Sequence, residues 1–193
     1  GTVRIAPVGD LFQYAWEAIL EVKEAEGSGP RSIALTGGST PKAFYQWVRE
    51  TAANQSWPQD LWWTTSDERF VPLDSPESNQ GNAWRELCAP LGVSKQQMAL
   101  WQTETLTPEQ AAQAQSKFFA ERIGQKKLFQ LCFLGMGDDG HTASLFPGSP
   151  LLVNESNLWI QDVEVPDKGM RLTLTPAGLA ACDRIIVMLS GKS

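Results

Sequence analysis

Ser32-Ile33-Ala34-Leu35-Thr36-Gly37-Gly38-Ser39-Thr40-Pro41-Lys42 sets a short apolar run directly before two glycines, two hydroxyl residues and a proline. An apolar run of this length that ends on glycine reads as a strand, over residues 32–36. Beyond Pro41, the residues Phe44, Tyr45 and Val48 recur at helical spacing, so the whole stretch reads as strand, tight turn, helix. Working outward, similar strand-length runs occupy residues 61–65, 128–134 and 184–189. A helical pattern covers residues 10–26, with Leu11, Tyr14, Ala15, Ala18, Ile19 and Val22 on one face, and another covers residues 107–123. Thr107, Pro108 and Gln110 supply an N-cap, a first helical residue and a capping box, while Gly27 and Gly124 stand where the two helices end. Strands of continuous apolar residues suit a sheet covered on both faces, and their alternation with helices predicts a layered, Rossmann-like α/β domain with a mainly parallel sheet flanked by helices. Residues 57–60 and 71–81 read as connecting loops. The adjacent Trp62 and Trp63 are assigned to packing, one on each sheet face.

The chain has 193 residues, of which 42% are hydrophobic and 20% charged, which is enough for one well-buried domain over residues 1–193. A net charge of -6 argues against nucleic acid or an anionic membrane as the main partner. An anionic small substrate stays open if its positive field is local. Cys88, Cys132 and Cys182 stand singly in apolar surroundings, a pattern of reduced core thiols that points to the cytoplasm. No run of about 18 apolar residues and no secretory signal pattern occurs. A monomer and a small homo-oligomer both stay open.

In parallel sheets ligands bind beyond the carboxyl ends of the strands, and three such ends carry unusual chemistry. The Gly37-Gly38-Ser39-Thr40 turn reads equally as a phosphate cradle at a helix N-terminus or as an ordinary glycine-rich turn. Ser66-Asp67-Glu68-Arg69-Phe70-Val71 offers Arg69 to an anion and Asp67 to a hydroxyl or a water, with a surface ion pair as the plainer reading of the tripeptide alone. Gly135-Met136-Gly137-Asp138-Asp139-Gly140-His141-Thr142-Ala143-Ser144-Leu145-Phe146-Pro147-Gly148 delivers the chain's single histidine into a glycine-rich loop, with Asp139 placed to fix its tautomer. No second histidine, cysteine pair or carboxylate cluster with ligand spacing supports an Asp-x-His metal site, so no metal or organic cofactor is expected.

Taken with Glu77-Ser78-Asn79 and Arg171-Leu172-Thr173-Leu174-Thr175, these segments resemble, in order along most of the chain, the signatures of the 6-phosphogluconolactonase family, which belongs with the glucosamine-6-phosphate deaminases. The resemblance implies the sugar-phosphate isomerase/deaminase fold and hydrolysis of 6-phosphogluconolactone, a phosphorylated sugar lactone of the oxidative pentose phosphate pathway. It implies His141, Asp139 and Asp67 as catalytic residues, and Gly37, Gly38, Ser39, Thr40, Arg69 and Arg171 as substrate and phosphate ligands. Lys192 lies near the place of a further phosphate-binding lysine in the family, and the family pattern leads us to expect the full protein to extend beyond Ser193. Phe146 occupies the place where the deaminases carry a glutamate, and it cannot shuttle protons. A deaminase or isomerase acting on an amino-sugar phosphate, and a catalytically silent sugar-phosphate sensor, are the alternatives.

Overall fold

Apolar strands laid side by side build the centre of the computed structural model, which describes residues 1–25, 29–52, 55–124, 126–153 and 157–190. The strands β1 (Arg31–Leu35), β2 (Leu61–Thr65), β4 (Leu131–Leu134) and β7 (Ile185–Val187) form one parallel sheet in the order β2-β1-β4-β7. Alternation along each strand divides the core. Ile33, Leu35, Trp63, Leu131 and Phe133 pack with Ile19 of helix α1 (Val8–Glu24) and with Phe44 and Val48 of α2 (Ser39–Thr51). On the other face Ala34, Cys132 and Leu134 meet Ala111, Ala112 and Phe119 of α4 (Pro108–Arg122). Trp63 is fully buried in the first cluster, and Trp62 packs on the second, as the alternation requires.

Three features depart from the sequence reading. A second, antiparallel sheet joins β3 (Asp67–Arg69), β6 (Gly169–Leu174) and β5 (Ile160–Val165) in the order β3-β6-β5. Ser66 stitches the two sheets together: its N–H donates to Leu35 O and its carbonyl accepts from Leu174 N. The segment read as a loop over residues 71–81 ends in a short helix, α3 (Asn79–Ala83), continued by a π-helical turn, Trp84–Cys88. Finally β7 is not covered on both faces, because Ile185 and Val187 are exposed at the sheet edge.

Smaller shifts concern element ends. The first helix begins at Val8 rather than residue 10, and β4 begins at Leu131 rather than 128, since Leu128 N donates to Ala181 O outside the strand ladder. Strand β7 is shorter than residues 184–189. Glu26 and Gly27 lie outside the described residues. Helix α4 follows its reading closely: Thr107 caps it, Gln110 returns the capping-box bond, and Gly124 leaves the helix with φ of 109°. Among the described residues no helix is long and apolar enough to cross a membrane.

Candidate active site

All four parallel strands point their carboxyl ends at one cleft of about 220 Å³. Its walls come from the turn after β1 (Thr36 to Pro41), from Asp67 and Arg69 of β3, from Asn79 of α3, from the loop after β4, and from Met188 after β7. Residues distant in the sequence are thus gathered by topology alone.

The turn after β1 is shaped to admit an anion. Gly38 sits at the N-cap of α2 with φ of 110°, a conformation in which a side chain would be strained. No side chain caps this helix, and its first turn contains no acidic residue. Its leading N–H groups therefore face the cleft with the positive end of the helix dipole behind them. Ser39 and Thr40 line the same wall, and Thr40 Oγ1 is held 2.7 Å from Ser190 Oγ. Gly37 is required for a different reason: a Cβ there would lie 2.0 Å from Asn79 Oδ1.

The loop after β4 carries His141. Gly137 N donates to His141 O at 2.9 Å, Gly140 turns with φ of 81°, and Thr142 Oγ1 donates to Gly135 O, so the loop folds back on its own strand end. Asp139 Oδ1 accepts from the His141 backbone N–H at 3.1 Å and lies 2.5 Å from its Nδ1. The hydrogen bond from His141 is the main cause holding the Asp139 carboxyl below its ordinary value. An ionised carboxylate can only accept, so Nδ1 donates and Nε2 is left as the basic nitrogen. The imidazole is partly exposed and stacks on Phe146 with ring centroids 4.0 Å apart.

Asp67 is buried at the back of the cleft. Its Oδ2 accepts from Ser144 Oγ at 2.7 Å and its Oδ1 from Asn79 Nδ2 at 3.1 Å. Burial raises its pKa above the ordinary value, against the opposing pull of the Ser144 hydrogen bond and of Arg69, Arg171 and His141. Arg69 and Arg171 are paired across the β3–β6 ladder. Of the two, only Arg69 lines the cleft. Burial and the neighbouring guanidinium of Arg69 lower the pKa of Arg171, so two like charges are held side by side.

The cleft thus brings together His141, Asp67, Gly37, Gly38, Ser39, Thr40 and Arg69 from the residues singled out in the sequence, with Asp139 bonded to His141 and Arg171 beside Arg69. Lys192 lies outside the described residues. Two further site residues stand in the quoted family signatures but are given no role there. Asn79 braces both Asp67 and the Gly37 turn, and Ser144 reaches Asp67 across 77 positions.

A family model described as glucosamine-6-phosphate isomerases/6-phosphogluconolactonase matches residues 9–193. The chain belongs to this family. Within the family, a 6-phosphogluconolactonase of Synechocystis sp. is 35% identical over 172 residues, covering 86% of this chain and 68% of that one. The solved 6-phosphogluconolactonase of Trypanosoma brucei is 30% identical, with a TM-score of 0.80 over 96% of this chain and 80% of the other. A monomeric glucosamine-6-phosphate deaminase superposes with a TM-score of 0.76 at 14% identity, over 96% of this chain and 80% of its own, a likeness of fold alone. The α/β architecture of this family member is therefore shared with that deaminase.

Proposed function

We propose that this chain hydrolyses 6-phosphogluconolactone to 6-phosphogluconate, with His141 as the base. The observation that carries the reading is that a carboxylate-bonded imidazole and an uncapped helix N-terminus line one cleft. The substrate's phosphate is held by the Gly38-Ser39-Thr40 turn with the charge of Arg69 and Arg171, which sets the lactone carbonyl near Nε2 of His141. A water gives its proton to Nε2 and its oxygen to the carbonyl carbon, forming a tetrahedral oxyanion. Backbone N–H groups of the Gly37-Gly38 turn stabilise that charge. The oxyanion collapses, the C–O bond to the ring oxygen breaks, and the imidazolium returns the proton to that oxygen. Asp139 steadies the imidazolium throughout, and Asp67 orients a hydroxyl or a water. The relatives named 6-phosphogluconolactonase support this reading, as does Phe146, which puts an aromatic ring and no proton-transfer group on the imidazole.

We place the enzyme in the cytoplasm, as one α/β domain acting as a monomer or small homo-oligomer. The test is the decay of freshly generated 6-phosphogluconolactone at neutral pH. The intact protein accelerates decay above the spontaneous background, and His141→Ala loses that acceleration by about 10²- to 10⁴-fold. No acceleration by the intact protein would overturn the reading; acceleration that survives in the variant would remove His141 from the base role.

A further inference from the structure

The geometry assigns Phe146 a role as the residue that positions the catalytic imidazole. This rests on the reading of His141 as the base. Among the described residues, Asp139, Gly137 and Phe146 crowd that ring. Asp139 bonds Nδ1 in the ring plane. Gly137 lies so close that a Cβ there would come within 2.2 Å of Cε1 and 2.3 Å of Nδ1. Phe146 lies across the ring face, with 4.0 Å between centroids and 23° between planes.

A hydrogen bond to Nδ1 fixes the tautomer but leaves the imidazole free to tilt about that bond. A ring packed on its face removes this freedom, because tilting either opens a gap or drives the rings together. Phe146 is itself anchored. It packs on the small apolar cluster of Leu145, Leu151, Val163 and Val165, which ties the loop to β5, and Lys168 Nζ lies 5.6 Å from its ring centroid. The π face also suits the imidazolium formed when His141 takes a proton from water. Serine or threonine at position 146 would supply neither the flat contact nor the apolar anchor.

The chain has one histidine, so its imidazole gives a single pair of ring-proton signals in an NMR spectrum. Stacking on Phe146 shifts these signals upfield by ring current. Phe146→Leu and Phe146→Met keep apolar bulk without a π face, and both should return the signals toward their free positions. In either variant kcat for lactone hydrolysis should fall by about 10- to 100-fold with KM changed less than about 2-fold, and Phe146→Tyr should recover most of kcat. Wild-type signals without an upfield shift would overturn the proposal without recourse to any variant. So would a leucine or methionine variant with normal kcat, or one that loses KM instead, which would place the ring against substrate. Failure of the wild type to hydrolyse the lactone would sink the proposed function, yet leave the stack measurable in the same spectra.

Discussion

Gly137 shows how little room the imidazole has. Alanine is a small change by volume, and glycine to alanine in a loop commonly stabilises a chain by limiting its unfolded state. Here the added Cβ would meet the His141 ring at 2.2 Å and Asp139 Oδ1 at 3.0 Å. The loop backbone is closed by Gly137 N to His141 O and Gly140 N to Gly137 O, so the His141 ring and the Asp139 carboxylate bonded to it must shift. We therefore expect Gly137→Ala to retain its melting temperature within a few degrees while losing about 10²-fold in kcat, because a displacement near 1 Å at the reacting group is enough for such a loss. Calorimetry beside lactone kinetics checks it. A variant with wild-type kcat would mean that the ring has more freedom than its contacts allow.

Glu68 ties a strand to a helix. Its carboxyl accepts from Asn79 N and Gln80 N at 2.7 Å each and from Ser78 Oγ at 3.1 Å, so it closes the N-terminus of α3 from the neighbouring strand β3. Burial pushes its pKa from an ordinary 4.5 up to about 7, against these hydrogen bonds. The native chain then holds a proton that the unfolded chain has already released between those two values. Stability should accordingly fall as pH rises from about 4.5 to about 7 and level off above, by no more than about 3 kcal/mol from this group. Urea unfolding at several pH values, with wild type and Glu68→Gln side by side, measures the difference; equal slopes in the two proteins would exclude Glu68 as the source. Little of this arrangement was legible beforehand. The parallel strands could be read because their apolar runs are continuous and of strand length, and α4 because both arms of its capping box are local. The tripeptide Asp67-Glu68-Arg69 looks like surface, since its burial depends on Asn79, Ser144 and β6, partners that lie 11 or more positions away. Asn79-Gln80-Gly81-Asn82 has no helical periodicity, and its helix exists because Ser78 and Glu68 cap it.

Charge over the whole molecule opposes the proposed ligand. The chain carries a net charge of -6, yet the substrate brings a phosphate, so attraction must come from a local cluster. Arg69 and Arg171, register partners across the β3–β6 ladder, form one, although Asp67, Glu68 and Glu77 offset part of their charge. The three strand ends could be read as a site from the residues themselves, whereas the family resemblance alone brings the two arginines together, because 102 positions separate them and the antiparallel β3–β6 ladder joins them. Arg171→Ala should raise KM for the phosphorylated lactone by about 10-fold or more, while turnover of the dephosphorylated lactone changes less than about 2-fold. The two substrates separate the explanations: a general disturbance of the cleft would slow both, whereas loss of a phosphate ligand slows one. Equal losses would remove Arg171 from the phosphate site and leave Arg69 and the α2 N-terminus to hold the anion.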